Sequence, residues 1–530
     1  MRTASLQTQN IILANANVIT MDPSYPKAKW VAISSGKIRD VGHEREHNKS
    51  PYESFEVLDC HGKTVLPGFN DAHCHLRAFV ESLLTLDLKP SNGFRSVPDI
   101  CAAIKDLSEK TSPGHWIRGR GYNEFYLVEK RHPTRWDLDE VAPDNPVKLT
   151  HRSGHAHVLN SLGLRLVGIS MESADPPGGL IDRDINTGEP TGLLYEMGPL
   201  LSERVPPLDR QALLTALELA NKRLLTWGIT SVQDASHLND AERWREIYSW
   251  KEAGLFKPRI NFMLSLTGLE QLGAYGFSGA VQENQLRLNG VKIILDETTG
   301  QLHPSQEKLN NSVVKIHESG FQVAIHAVEE SAVGSACCAI EYALKKSPRS
   351  DHRHRVEHCS ICSPPLASRL ASLKIIVVTQ PPFIFYNGDR YLGTVPDHQL
   401  QYLYPIRSLL KAGIPVAGSS DCPIVQPNPL IGIYSAVCRK SETGKTVGGE
   451  EKISPLDALR MYTVNAARAS FEENLKGSIT PGKLADLVVL NADPSAVTPD
   501  EIKDIGVEMT IIDGKVVWRS GASVLSQKFV

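Results

Sequence analysis

From residue 228 onward, short apolar runs rich in β-branched residues recur along the chain, each bounded by Gly, Pro or charge and followed by helical periodicity. They are GITSVQD (228–234), RINFMLSL (259–266), GVKIILDE (290–297), FQVAIHA (321–327), RVEHCS (355–360), KIIVVTQ (374–380) and IPVAGSSD (414–421); KTVLPGFNDAH (63–73) makes eight. Runs that are apolar on both alternating faces suit parallel strands covered by helices. Eight such strand and helix units predict an α/β fold, a closed (β/α)8 TIM barrel, over residues 68–76 and 209–470.

Between His73 and Gly228 lies far more chain than one unit needs, which predicts an insertion after the first strand, over residues 77–208. It contains a helical pattern (VPDICAAIKDLSEK, 97–110), a strand (WIRGRGYNE, 116–124) and a hairpin (178–196). Insertions at that end of a barrel commonly cap its mouth. Residues 11–41 and 486–518 are β runs with Gly-containing turns, neither sufficient for a domain. They are expected to pair into one composite β-sandwich, residues 1–67 and 471–530, joined to the barrel by a helix over 454–470 with Ser454 as cap and Pro455 in the first turn.

The 530 residues are 41% hydrophobic and 22% charged, an ordinary globular composition. Lys plus Arg number 57 against 60 Asp plus Glu, a formal charge of -3, with no basic block. Nucleic acid and anionic membrane are therefore excluded as expected partners, leaving a small-molecule substrate, with a homodimer as one expected assembly. Nine scattered cysteines do not form a disulfide framework, and no apolar run approaches the ~18 residues of a membrane span, which points to a cytoplasmic setting.

The first chemical signal is Asp71-Ala72-His73-Cys74-His75. In a strand, residues i and i+2 share a side, so His73 and His75 converge. The spacing alone is weak, because His155-Ala156-His157 and His352-Arg353-His354 repeat it. It gains weight from His326, His358 and Asp421, which end predicted barrel strands on the face where barrel enzymes build their sites. Imidazoles with a carboxylate suit Zn2+ or a similar divalent metal. Lys292 lies inside an otherwise apolar strand, where an unpaired ammonium is costly. Two resolutions are open: a salt bridge to Asp296 or Glu297, or a depressed pKa and reaction with carbon dioxide to a carbamate that bridges two cations.

The ordered set PGFNDAHCH, VKI, AIHA, RVEHC and GSSD resembles the amidohydrolase superfamily over nearly the whole chain. WIRGRGYNE, HPTRWDLDEVAPDNPV, SGHAHVLNS, GEPTGLLYE, DHRHRVEHCSIC and LYPIRSLLKAGIPVAGSSD further resemble its amidohydrolase-3 branch, with N-substituted formamide deformylases and YtcJ-type proteins. The resemblance implies that His73, His75 and Asp421 bind one metal and His326 and His358 a second, with carboxylated Lys292 bridging. It implies two divalent ions, Zn2+ first with Mn2+ or Fe2+ as alternatives, and a hydroxide between them as nucleophile. Asp421 would act as general base and then acid in hydrolysis of an amide, formamide or cyclic amide C–N bond. A mononuclear deaminase, an ester hydrolase or isomerase on the same metals, and a scaffold that lost the chemistry are the other readings. The stretch ILDETTGQLHPSQ departs from the acidic-glycine pair common after the lysine in that branch.

Asp71 is expected either to orient a ligand or to sit exposed at a strand end, and Cys74 and Cys422 to be inert packing. Substrate contacts are assigned to His155, Glu196, Tyr122 and Phe385. The remaining aromatics (Trp116, Phe125, Tyr126, Phe383, Tyr386) read mainly as packing, and Arg118 and Arg120 as a solvated or ion-paired face.

Overall fold

The computed structural model describes residues 10–43, 51–274, 281–296 and 302–521. They divide into two compact units, 1–76 with 220–530, and 77–219.

Eight parallel strands of the first unit lie side by side in chain order: β1 (Phe69–Cys74), β2 (Ile229–Asp234), β3 (Arg259–Leu264), β4 (Leu286–Ile294), β5 (Gln322–Ala327), β6 (Arg355–His358), β7 (Ile376–Thr379) and β8 (Val416–Gly418). No strand ladder joins β8 back to β1 among the described residues. Among the described residues, the seam is closed just beyond β8, where the Asp421 amide donates to the His73 carbonyl at 2.9 Å and the His75 amide to that of Cys422 at 2.8 Å. The sheet is thus an almost continuous TIM barrel.

Three elements differ from expectation. KTVLPGFNDAH is two strands, Thr64–Pro67 and β1, parted at Gly68. A Cβ there would lie 2.2 Å from the Thr230 side chain, so only glycine lets the chain pass from one sheet to the next against β2. β4 starts upstream of its predicted run because Val281–Glu283 folds back on it as a hairpin through Asn284 and Gln285, both at positive φ. The 454–470 helix is two, Pro455–Met461, capped as expected by Ser454, and Val464–Ala469. The break falls where the Tyr462 carbonyl accepts from the Asn70 amide of β1 at 2.8 Å instead of from its own helix. The Tyr462 ring packs so tightly against Gly418 and Gly432 that neither has room for a Cβ.

Strands from both chain ends form a sandwich. One sheet orders Lys37–Gly42, Trp30–Ser34, Ile11–Ala14 and Glu56–Asp59; the other runs Lys515–Arg519, Val507–Ile512, Leu487–Leu490, Thr64–Pro67, Asn17–Ile19 and Lys27–Ala28. Between them lie Ile11, Leu13, Val31, Ile33, Val65, Leu487, Val489 and Ile511, all buried. The short helix Val464–Ala469 and the turn after it close the barrel floor. Side-chain amides inside the barrel take the carbonyls left free at that helix end: Gln233 bonds Ala466 at 2.7 Å, Gln322 bonds Ala469 at 2.9 Å and Asn289 bonds Ser470 at 3.1 Å.

The second unit has a mixed six-stranded sheet, ordered Leu180–Arg183, Pro190–Tyr195, Ala156–Leu159, Val147–His151, Ile117–Tyr122 and Leu86–Asp87. The expected helix (Val97–Ser108), strand and hairpin are all present. Among the described residues, no helix is long and apolar enough to cross a membrane, and none of the nine cysteines is in a disulfide.

Candidate metal centre

β1, β5, β6 and the loop after β8 bring four histidines and Asp421 to the carboxyl end of the barrel, and β4 adds Lys292. His75 Nε2 is 2.9 Å from Asp421 Oδ1, and His73 Nε2 is 3.5 Å from the same oxygen. One donor atom from each of His73, His75 and Asp421 can be chosen so that all lie within 4.8 Å of one another. Lys292 Nζ stands 3.2 Å from His73 Nε2. The His358 ring centroid lies 5.0 Å from that of His73 and 4.2 Å from that of His326. All six predicted ligand residues therefore meet in one place.

The outward nitrogens are held. His73 Nδ1 lies 2.5 Å from Glu357 Oε2, His75 Nδ1 3.3 Å from Ser236 Oγ, and His358 Nδ1 2.8 Å from Gln380 Oε1. Ser236 in turn donates to Asp234 at 2.6 Å. With Nδ1 engaged, each ring turns Nε2 inward, and the His358 Nε2 is buried without a partner. The neutral His73 and His358 rings, the open His358 Nε2, an ionised carboxylate and a buried amine fit a divalent metal pair. Asp421 and His358 both adopt left-handed backbone, φ 58° and 71°, a conformation that costs energy for non-glycine residues and clusters at functional sites.

Burial pulls the His73 imidazole down to about 3 and that of His358 to about 4, so both are neutral. It also lowers the Lys292 ammonium to about 8, against the pull of Glu357 and Asp421. Burial acts the other way on Asp421, yet the hydrogen bond from His75 holds its carboxyl well below the usual range.

Asp71 is buried rather than exposed, and it does not orient a histidine ring. Its carboxylate accepts from the Ser420 amide at 3.0 Å, the Ser420 hydroxyl at 2.5 Å and the His73 amide at 3.3 Å, tying the Asp421 loop to β1. Burial raises this carboxyl to about 6. Cys74 and Cys422 are buried partners across the seam; the Cys422 thiol and burial push the Cys74 thiol far above its ordinary range, as suits inert packing. Of the two residues considered as salt-bridge partners for Lys292, Glu297 lies outside the described residues; the nearest group described for the amine is His73.

Of the substrate-contact candidates, Tyr122, His155 and Glu196 lie in the second unit and Phe385 in the first. Tyr122 is fully buried in the core of the second unit, its hydroxyl 2.9 Å from His132 Nδ1. His155 Nδ1 and Glu196 form an ion pair at 2.9 Å in the same unit. Phe385 packs on Tyr386 and Tyr434, with ring centroids 5.1 and 5.9 Å away. Glu357 and Arg355 were absent from the sequence-derived site. The signal was there, two charges at i and i+2 in a buried strand, the same argument that singled out Lys292.

A parallel barrel carrying clustered histidines and a carboxylate at its carboxyl end is the layout of a metal-dependent hydrolase. The profile of the Amidohydrolase family (Amidohydro_3) matches residues 56–518, and the chain belongs to that family. It is 31% identical to the N-substituted formamide deformylase of Arthrobacter pascens, covering 96% of this chain and 98% of that protein. It is 30% identical to the putative amidohydrolase YtcJ of Bacillus subtilis (strain 168), covering 94% and 98%. An uncharacterized metal-dependent hydrolase from Pyrococcus horikoshii OT3 superposes with a TM-score of 0.75 at 25% identity, covering 93% of this chain and 99% of that one.

Proposed function

We propose that this protein is a binuclear metal hydrolase that cleaves the C–N bond of a small amide, formamide or cyclic amide. The observation that carries the reading is the convergence of His73, His75 and Asp421 within 4.8 Å, with Lys292 and His358 beside His73. His73, His75 and Asp421 would hold one ion and His326 and His358 the other. Two divalent ions, Zn2+ before Mn2+ or Fe2+, suit this donor set. When bound, such ions lower the pKa of water toward ~7 and polarise a carbonyl.

The chain's own residues supply the rest. Asp421, ionised and held by His75, takes a proton from the attacking water and delivers it to the leaving nitrogen. Lys292, with a pKa near 8, is partly neutral at physiological pH. Its amine would add to carbon dioxide, forming an N–C bond and losing a proton, and the resulting carbamate would put an anion in place of the ammonium beside His73. A near-neutral net charge and unpaired cysteines go with a cytoplasmic enzyme of small molecules. The similarity to the formamide deformylase supports N-formyl and N-acyl amines as the first substrates to try.

The test is a screen of N-formyl, N-acyl, cyclic amide and carbamate compounds with metal-loaded protein, alongside metal analysis. Hydrolysis of one class with two equivalents of metal is the expected result. One equivalent and an unmodified Lys292 would overturn it in favour of a mononuclear deaminase. Asp421→Asn should keep most of its metal and lose about 10²–10⁴ of turnover; undiminished turnover would remove Asp421 from its role.

A further inference from the structure

We propose that Glu357, Arg355 and Gln233 are positioning residues, a buried relay from the barrel floor to His73 that fixes which ring nitrogen His73 presents to the metal. The inference rests on the metal-site reading above.

Every link is short and shielded from solvent. The Gln233 amide donates to the Ala466 carbonyl at 2.7 Å, so its oxygen faces the other way and accepts from Arg355 Nη1 at 2.6 Å. Arg355 grips both oxygens of Glu357, Nε to Oε1 at 2.6 Å and Nη2 to Oε2 at 2.8 Å, and Nη2 also reaches the Ala72 carbonyl at 2.7 Å. Glu357 Oε2 then meets His73 Nδ1 at 2.5 Å. Arg355, Glu357 and His73 are all essentially inaccessible to solvent.

Chemistry makes the relay directional. A carboxylate whose two oxygens already accept from a guanidinium can only accept from the imidazole, so the His73 proton sits on Nδ1 and the Nε2 lone pair faces the centre. His75 and His358 have only a hydroxyl and a neutral amide at the same ring position. A charged acceptor also makes the imidazole a stronger donor to a metal. Pairing with Arg355 lets Glu357 stay ionised inside the barrel, which an isolated carboxylate could not do.

A purely structural ion pair would hold the barrel together equally well without setting the tautomer. Glu357→Gln separates the two roles. Its amide must turn an N–H toward either Arg355 or His73, and facing His73 is the lesser conflict. The ring proton then moves to Nε2 and occupies the metal-binding position.

The experiment is a Co2+ titration of chelator-stripped protein, followed by calorimetry and by the visible absorption of the bound ion. Glu357→Gln is expected to weaken binding about 10- to 100-fold, with an altered spectrum, and Gln233→Ala to weaken it less. Affinity and spectrum equal to wild type in Glu357→Gln would overturn the relay while leaving the metal site intact. A wild-type protein that binds no Co2+ would overturn the metal site and the relay together. Nitrogen NMR of histidine-labelled, metal-free wild-type protein needs no variant to fold. A His73 ring protonated on Nδ1 is expected, and one protonated on Nε2 would overturn the proposal.

Discussion

Among the described residues, the barrel holds two groups of histidines, one at each end, and they have opposite chemistry. At the floor, His317 Nε2 donates to the Ser347 carbonyl at 2.6 Å, and His354 Nε2 donates to His317 Nδ1 at 2.8 Å. His354 Nδ1 accepts from the Val323 amide at 3.0 Å; His352 accepts from the His354 amide at 2.9 Å and lies 2.9 Å from the Leu373 carbonyl. Every ring nitrogen there is spent on the fold. At the carboxyl end one nitrogen of His73, His75 and His358 is spent, and the other turns toward the shared centre. The difference between a structural and a ligating histidine lies in that second nitrogen.

Removing His73 tests the sharpest side of this contrast. His73→Ala should lose metal affinity by more than the roughly 100-fold that even an outer partner can cost, while the stripped protein keeps its secondary structure; full metal content by elemental analysis would erase the distinction. His354→Ala should do the reverse, lowering the denaturation midpoint by the equivalent of about 2–3 kcal/mol through orphaned buried groups, with metal content unchanged.

Acid should sharpen the contrast further. Burial lowers the pKa of both His352 and His354. The unfolded chain, with ordinary values near 6.5, then binds protons that the folded chain refuses. Stability present above that pH is lost as the pH falls below it, by at most ~1.4 kcal/mol per pH unit for each histidine. Denaturant midpoints of stripped protein between pH 7 and 5 should fall less steeply in His354→Asn than in wild type; parallel slopes would show that His354 does not contribute. The smallest effect is expected from Gln322→Leu, which loses a floor bond to Ala469 and should cost about 1 kcal/mol with no change in metal content.

The same contrast explains what could be read from sequence. His73 and His75 share a side because β1 is extended, and strand periodicity predicts that. His352 and His354 have the same spacing, but Arg353 between them adopts φ 47°, so the alternation fails. Strand ends located His326, His358 and Asp421, because barrel strands are apolar enough to stand out. The partners of these residues were not legible. Glu357 meets His73 across 284 positions of chain, and no local pattern encodes that. The second unit was harder still, because Tyr122 on a strand looks the same whether its ring enters a core or a pocket. Gly68 and Tyr462 were missed because each acts through contacts with β1, β2 or β8 rather than with its own neighbours.

The pairing of Thr64–Pro67 with Leu487–Leu490 carries a consequence for synthesis. The ribosome makes the first of these strands some 420 residues before the second, about 20–80 s at ordinary elongation rates. Through that interval the edge of Thr64–Pro67 that faces Leu487–Leu490 is unpaired, and for most of it β1 lacks the seam contacts that Asp421 and Cys422 will bring. That one edge must be kept from pairing elsewhere until Leu487–Leu490 emerges, so chaperone demand should be concentrated on Thr64–Pro67 and β1.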